Sequence, residues 1–329
     1  MEDLRSFPTE KQSLASVKKL RETIWPIYSP NDDIELYRKK IEQIIFSEFE
    51  MIPDIKRSIS LSDFSLPIFR VRPLQSFIDI NRFCEHSYPP IKFASLNRCN
   101  YNGKPVFYCS NNPLTALLEV VRNTQFKGIK FCISKWNTHN LNENIVFQTF
   151  LHSKMNTNNN FSSIPENEIS ELDKNFENKL TDDQKKGLSV YLKFLHSTFL
   201  DSDNYEVTAF FANRAMNAPH EYATDILLYP SNQTNRKGVN LAISPNFVDN
   251  RMFIERFYIV ELNNIKPSKD QLNITLTKFG EVKNSKVYWR YLDENDADYR
   301  SFFLKDFEGA LTNDFGWNFN VAISDDLQR

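Results

Sequence analysis

Residues 98–119 read RCNYNGKPVFYCSNNPLTALLE, and the pattern in this stretch changes from extended to helical. The segment KPVFYCS, residues 104–110, has the composition and alternation of a strand. Asn112 followed by Pro113 is typical of a helix start, because asparagine caps a helix well and proline suits its first turn. The buried face of that helix is predicted to consist of Leu114, Leu117, Leu118 and Val121. A strand that leads directly into a short helix therefore forms the centre of the predicted fold.

Extended segments recur on both sides of this centre. They cover residues 66–74, 129–135, 225–231, 240–244, 251–262, 272–279 and 285–292. Helical spacing returns between them, at Leu188, Tyr191, Leu192, Leu195 and Phe199 and then at Val207, Phe210 and Phe211. Strands grouped at both ends of the chain around helices predict an α+β fold and not an alternating βαβ arrangement.

Two amphipathic helices are predicted ahead of the first strand. Their apolar faces consist of Leu14, Val17, Leu20 and Ile24 in the first, and of Ile34, Tyr37, Ile41, Ile44 and Ile45 in the second, which Asn31 or Asp32 can cap. We expect residues 1–62 to form an N-terminal helical extension and residues 63–329 to form one catalytic domain. Residues 151–205 are expected to be an insertion in that domain, polar and on the surface over 153–183 and helical thereafter.

The charge and hydropathy patterns argue against several classes of protein. With 40 basic and 42 acidic residues the formal net charge is −2, which makes a nucleic-acid partner an unfavoured interpretation. The balanced charge and 14% aromatic residues predict a folded chain. The first ten residues are polar, and no apolar run approaches the roughly 18 residues of a membrane span. We therefore expect a cytoplasmic protein that does not bind a membrane.

The number and spacing of the glycines and cysteines argue against two further kinds of binding site. The chain has only seven glycines, and no two are spaced to build a glycine-rich phosphate cradle, so side chains would have to hold a nucleotide. The four cysteines form no CxxC pair and no HExxH motif accompanies them. We predict neither a metal site nor a bound cofactor.

The polar residues of two blocks are candidates for chemistry, although each alone has an ordinary structural explanation. Arg98 could be a surface arginine, Tyr108 a packing residue of its strand, and Glu119 half of a solvated ion pair with Arg122. In the second block, TDILLYPSNQTNRKGVNLAISP (224–245), Ser231 could simply begin a turn. It has no GxSxG context, which argues against a serine nucleophile. Asn240 is a weaker candidate still.

The two blocks occur in order, and an arginine-bearing strand precedes them. The matching residues are Arg70 in IFRVR; Arg98, Asn100, Gly103, Pro105, Phe107, Tyr108, Thr115, Ala116 and Glu119; and Tyr229, Pro230, Ser231, Gly238, Asn240, Leu241 and Ala242. In this set the chain resembles, over about residues 65–250, the RES-domain family, named for an arginine, a glutamate and a serine. One departure is Cys99, where many members have a tryptophan after the second arginine.

The resemblance implies a fold and an activity. The expected fold is ADP-ribosyltransferase-like, a mixed β core with flanking helices. Known members are toxins that degrade NAD⁺ by phosphorolysis or hydrolysis of the nicotinamide–ribose bond, so NAD⁺ would be a substrate and inorganic phosphate a co-substrate. The family pairs with helix-turn-helix antitoxins, which implies such a partner here. An ADP-ribosyltransferase that modifies a macromolecule, a non-catalytic interaction protein and a toxin that acts on RNA stay open as alternative functions. A homo-oligomer stays open as the assembly state.

The resemblance also implies a role for each matched polar residue. Glu119 would stabilise the positive charge that develops on the ribose. Arg70 and Arg98 would hold the pyrophosphate through charge-assisted hydrogen bonds, and Tyr108 would orient the nicotinamide ring. Ser231 would position the substrate without attacking it, and Asn240 would contribute to NAD⁺ binding.

Overall fold

The computed structural model describes residues 7–63, 67–122, 128–139, 142–155, 161–164, 172, 174, 176, 179–201, 205–219, 222–234, 237–266, 271–292, 295–307 and 318–323. Their α-helices are α1 (Glu10–Glu22), α2 (Ile34–Phe49), α3 (Pro113–Val121), α4 (Asp182–Leu200), α5 (Tyr205–Met216) and α6 (Pro245–Arg251). Their strands are β1 (Lys56–Ser60), β2 (Ile68–Pro73), β3 (Phe107–Ser110), β4 (Lys130–Thr138), β5 (Asn144–Thr149), β6 (Ile226–Pro230), β7 (Val239–Ile243), β8 (Met252–Lys266), β9 (Gln271–Lys283), β10 (Lys286–Arg290) and β11 (Asn318–Ile323). The fold is mixed α+β, as predicted.

Contacts divide the chain into two compact units. The first unit consists of Met1–Ser58, Pro90–Val106 and Ile145–Pro230; the second consists of Ile59–Pro89, Phe107–Asn144 and Ser231–Arg329. Helices α1 and α2, expected to form an N-terminal extension, belong to the same compact unit as α4. Within the described residues, no helix is both long and apolar enough to cross a bilayer.

The core of the first unit explains why these helices pack together. The ring of Phe49 on α2 lies 5.9 Å from that of Phe7 and 5.0 Å from that of Tyr191 on α4. A Cβ on Gly187 would lie 2.1 Å from the backbone oxygen of Pro8, so only glycine lets the start of α1 approach α4 this closely. In the same unit, β5 and β6 run parallel, with Phe147 opposite Ile226.

The orientation of α1 corrects the predicted apolar face. Val17 and Leu20 are buried, but Leu14 is 54% exposed and Ile24, which lies beyond the helix end, is 96% exposed. Ser13 and Ser16 are buried instead. The Oγ of Ser16 donates to the backbone oxygen of Glu48 on α2 over 2.8 Å, and Ser13 faces Gly187. The close approach to α4 and this hydrogen bond turn the serine side of the helix inwards.

The predicted apolar face of helix α2 is largely confirmed, but its predicted cap is wrong. Tyr37, Ile41 and Ile45 are buried, whereas Ile34 and Ile44 are half-buried. The cap is neither Asn31 nor Asp32: Asp33 Oδ1 accepts hydrogen bonds from the backbone N–H groups of Glu35 (2.8 Å) and Leu36 (3.0 Å). Asp32 accepts from the backbone N–H of Ser29 instead, which closes the preceding turn.

The segment predicted as an insertion contributes to the core. On α4, the five residues predicted to face inwards, Leu188, Tyr191, Leu192, Leu195 and Phe199, are all buried. The prediction that residues 153–183 lie on the surface is wrong at four apolar positions, because Met155, Phe161, Leu172 and Leu180 are buried. The asparagine-rich residues 156–160 lie outside the described part of the chain.

The second unit contains most of the sheet. Its strands follow the order β7-β3-β2-β4-β8-β9-β10, with antiparallel neighbours throughout, and β11 adds to β9 in parallel. Phe69 and Val71 of β2 pack against apolar residues of α3, together with residues of β4, β8 and β9. Strands β2 and β3 share a single registered pair, Phe69 opposite Ser110. Helix α3 therefore covers the face of the sheet to which Ser110 belongs.

Candidate active site

Helix α3 forms as the sequence predicts, and its cap fixes where Glu119 lies. The Oδ1 of Asn112 accepts hydrogen bonds from the backbone N–H groups of Leu114 (2.8 Å) and Thr115 (3.3 Å). The four residues predicted to face inwards are buried. Glu119 lies one helical turn after Thr115, so these two side chains share one face of the helix.

The carboxylate of Glu119 meets two polar side chains from the second sequence block. The Ser231 hydroxyl donates to Glu119 Oε1 over 2.6 Å, and Asn240 Nδ2 donates to the same oxygen over 2.7 Å. Ser231 has no exposed surface and Asn240 is 4% exposed, whereas Glu119 is half-buried. Among the described residues, Oε2 of Glu119 has neither a hydrogen-bond nor an ion-pair partner. Within that part of the chain, one oxygen of Glu119 thus accepts two hydrogen bonds and the other accepts none.

A serine that the sequence analysis did not single out completes this network. Ser110 lies opposite Asn240 in the β3–β7 register, and its Oγ donates to Asn240 Oδ1 over 2.8 Å. Ser110 is 1% exposed. Strand alternation offered a signal, because Ser110 comes two residues after Tyr108 and so shares its face. We call Ser110, Glu119, Ser231 and Asn240 the Glu119 cluster.

Close contact between Thr115 and Gly238 brings the helix and the sheet together at this cluster. A Cβ on Gly238 would lie 2.3 Å from Thr115 Oγ1 and 2.8 Å from its Cγ2. The turn that carries Gly238 is itself ordered by hydrogen bonds, from Ser231 N to Gly238 O (3.0 Å) and from Gly238 N to Thr234 Oγ1 (2.9 Å). Thr115 and Gly238 both belong to the matched motifs. Their contact fixes the distance between α3 and the sheet, and therefore where Glu119 meets Ser231.

Tyr108 lies on the strand that carries Ser110, and Arg70 binds the backbone of Tyr108. Tyr108 is half-buried on β3, opposite Ala242, on the strand face that carries Ser110. The Nη1 of Arg70 donates to the backbone oxygen of Tyr108 over 2.7 Å. This contact lies beyond the one registered pair of β2 and β3, where the two strands no longer pair.

The Arg70 side chain leaves β2 on the face opposite to that covered by α3, because its neighbours Phe69 and Val71 pack against that helix. Its guanidinium lies 5.2 Å from the centre of the Phe107 ring. Burial, reinforced by the like charge of Arg72, lowers the pKa of Arg70 to about 10. Its Nε is buried without a hydrogen-bond partner among the described residues. In that part of the chain, no hydrogen bond or ion pair joins Arg70 to the Glu119 cluster.

Arg98 belongs to the first unit, and the contacts described for it lie there. Its Nη1 donates to the backbone oxygens of Phe199 and Asp201, the latter over 2.7 Å, and its guanidinium lies 5.1 Å from the centre of the Tyr205 ring. A cation bound to the last carbonyls of α4 stabilises the negative end of that helix. Three of the six predicted site residues are joined by side-chain hydrogen bonds: Glu119, Ser231 and Asn240. The Arg70 side chain binds the backbone oxygen of Tyr108.

The cluster offers acid–base and electrostatic chemistry. Within the described ranges, no three His, Cys, Asp or Glu side chains lie close enough to hold a metal ion. None of the four cysteines, all of which lie in the described part of the chain, forms a disulfide, and burial raises the pKa values of the Cys109 and Cys132 thiols well above the usual range. A fixed carboxylate with one available oxygen can stabilise a developing cation or accept a proton from a bound hydroxyl.

Comparison with family models and curated proteins identified no relative of this chain. The chain matches no protein-family model, and a search of curated proteins likewise returns no match.

Proposed function

We propose that this protein degrades NAD⁺ by cleaving the bond between nicotinamide and ribose, with Glu119 as the catalytic carboxylate. The observation that carries the proposal is the convergence of Glu119, Ser231 and Asn240 on one carboxylate oxygen. The second and third residues lie 112 and 121 positions from the first, so no local pattern required them to meet. All three belong to the set in which the chain resembles the RES-domain family.

The electrostatics of the cluster suit this reaction. Nicotinamide leaves NAD⁺ as a neutral base, so its departure needs no general acid, and positive charge builds on the ribose. A carboxylate beside the ribose stabilises that charge. At about 4 Å and an effective dielectric constant of about 20, the attraction is worth roughly 4 kcal/mol. Because Oε1 of Glu119 already accepts two hydrogen bonds, Oε2 is the oxygen that would face the ribose.

The contacts of Ser231 favour a positioning role. Its hydroxyl proton is directed to Glu119 Oε1, and the side chain is fully buried. A nucleophilic serine needs a base that removes its proton and an open path to the substrate. Ser231 instead fixes the rotamer of the carboxylate. The energy for bond cleavage therefore comes from preorganised charge and not from covalent catalysis.

In the RES-domain family, matched arginines supply the cations that a dinucleotide requires. Arg70, whose side chain leaves β2 on the face opposite to that covered by α3, is assigned to the pyrophosphate by the family resemblance. Arg98 is assigned to the pyrophosphate by the family resemblance, and Tyr108 to the nicotinamide ring. With these roles the proposal extends to an ADP-ribosyltransferase-like fold, to inorganic phosphate as co-substrate, and to a helix-turn-helix antitoxin as partner.

The test is consumption of NAD⁺ by the purified protein, with NADH as the matched control. NADH carries the same phosphates and riboses, but its dihydronicotinamide is uncharged and is a poor leaving group. We expect loss of NAD⁺ without loss of NADH. Mass analysis of the products with and without phosphate separates phosphorolysis from hydrolysis, because only the first yields a ribose 1-phosphate. Intact NAD⁺ after prolonged incubation at high protein concentration would refute the proposal.

A further inference from the structure

The hydrogen bond between Ser110 and Asn240 is buried on both sides. Ser110 is 1% exposed and Asn240 is 4% exposed, so bulk water cannot replace either group. The two residues are registered partners in the antiparallel pair β3–β7, which brings their side chains to the same face of the sheet. A buried amide oxygen without a donor is costly, and Ser110 Oγ is the donor to Asn240 Oδ1 that the described part of the chain supplies.

The donor and acceptor ends of the Asn240 amide determine which end faces Ser110 and which faces Glu119. Asn240 has a donating end and an accepting end, and Glu119 Oε1 can only accept. The amide must therefore turn Nδ2 towards Glu119 and Oδ1 towards Ser110. A side chain at position 110 without a hydroxyl would leave Oδ1 unpaired, and the amide would gain by rotating away from Glu119 in search of another donor.

We propose that Ser110 is a positioning residue of the candidate active site, acting through Asn240 to hold the Glu119 carboxylate in one orientation. Ser110 contacts Asn240 and not Glu119, so its effect on catalysis passes through the amide. Its kinetic consequences rest on the proposed cleavage of NAD⁺. Its structural consequence, the orientation of the Asn240 amide, does not.

A double-mutant cycle on NAD⁺ consumption tests whether Ser110 acts through Asn240. Ser110→Ala is expected to lower kcat about 10-fold with KM unchanged, since a loosened catalytic group loses orientation and not affinity. Asn240→Ala removes a direct contact to the carboxylate and should lower kcat about 100-fold. The double variant should match Asn240→Ala within about 2-fold, because the Ser110 hydroxyl then has no amide to hold. Ser110→Thr, which keeps the hydroxyl, should restore most of the rate.

The matched control is Thr277→Val, which removes another buried hydroxyl of the second unit. Thr277 lies on β9, and its Oγ1 donates to the backbone oxygen of Ile259 over 3.0 Å, outside the Glu119 cluster. Its kcat should equal that of the wild type. The inference is overturned if Ser110→Ala behaves like Thr277→Val, or if the losses of Ser110→Ala and Asn240→Ala multiply in the double variant.

A spectroscopic measurement separates this inference from the proposed function. In ¹H–¹⁵N NMR spectra, the Asn240 side-chain amide signals are identified by their absence in Asn240→Ala. One amide proton should be shifted downfield by the carboxylate, and that shift should disappear in Glu119→Ala and shrink in Ser110→Ala. A protein that leaves NAD⁺ intact but shows these shifts refutes the function and supports the positioning role. An Asn240 signal that Ser110→Ala does not change refutes the positioning role.

Discussion

Replacement of Gly238 by alanine should press the sheet and helix α3 apart at the Glu119 cluster. The added Cβ would lie 2.3 Å from Thr115 Oγ1, 2.8 Å from Cγ2 and 3.1 Å from Cβ of the same residue. Because three side-chain atoms of Thr115 are too close, rotation of its χ1 angle cannot clear the contact. Thr115 is fully buried, so either α3 or the turn at Gly238 must move.

The expected cost follows from that geometry. Overpacking of a close contact destabilises a protein by roughly 1–3 kcal/mol, and an unstrained glycine-to-alanine change would otherwise stabilise it by about 0.4–1 kcal/mol. We expect a net loss of about 1–2 kcal/mol in the free energy of unfolding, measured by urea titration. The rate of NAD⁺ loss should also fall, because Glu119 lies one turn beyond Thr115 on the helix that is displaced.

The control is Thr115→Ala, which removes Oγ1 and Cγ2 from the contact. Thr115 Oγ1 is buried without a hydrogen-bond partner among the described residues, so its removal gives up no hydrogen bond there. The double variant Thr115→Ala/Gly238→Ala should recover about 1 kcal/mol relative to the sum of the single changes. A Gly238→Ala protein with wild-type stability, or a loss that Thr115→Ala does not relieve, would show that this contact does not set the position of α3.

Two further predictions concern stability in the second unit. Burial lowers the pKa of His86 to about 4, below its value of about 6.5 in the unfolded chain. Protonation therefore favours the unfolded chain, so the contribution of neutral His86 to the free energy of unfolding is complete above pH 6.5 and is lost as the pH falls towards 4. In urea titrations from pH 7.5 to 5, the wild type should therefore lose about 2 kcal/mol more than His86→Gln, and equal losses would contradict this assignment. The Asp306 side chain, 3% exposed, accepts from Lys135 Nζ (2.8 Å) and from the Tyr258 hydroxyl (2.6 Å), so Asp306→Ala should cost about 3–5 kcal/mol. The exposed pair of Lys130 and Glu261 is the control: Glu261→Ala should cost under about 1 kcal/mol, and similar losses for both variants would be the contrary result.

Local patterns predicted the elements that carry the cluster, because their signals lie within a few residues. The cap at Asn112 and the apolar face of α3 have the predicted form, and the strand before them covers residues 107–110 of the predicted 104–110. The first amphipathic helix shows the limit of such patterns. Periodicity identified Val17 and Leu20 correctly but also included Leu14, because it could not foresee that Gly187 would draw the serine side of α1 inwards.

The composition of the cluster depended on pairing between distant segments. Spacing alone could not show that Ser231 and Asn240 bind the same oxygen of Glu119, because that contact requires the β3–β7 register and the Thr115–Gly238 approach. Ser110 was missed for a related reason: strand alternation placed it on the same face as Tyr108, but its contact with Asn240 depends on the β3–β7 register. For the arginines, the family resemblance implied phosphate binding, and the backbone carbonyls that they bind became known only from the structure.

The most direct test of the central claim is the rate of NAD⁺ cleavage by Glu119→Gln. Glutamine keeps an Oε1 that can accept from Ser231 and Asn240, so the fold and NAD⁺ affinity should be retained while the charge is removed. Loss of the roughly 4 kcal/mol attraction should lower kcat about 1,000-fold at an unchanged midpoint of thermal unfolding. Glu261→Gln, the same change at a partly exposed site on β8, should leave the rate unchanged. A Glu119→Gln protein that cleaves NAD⁺ at close to the wild-type rate would contradict the assignment of Glu119 as the catalytic carboxylate.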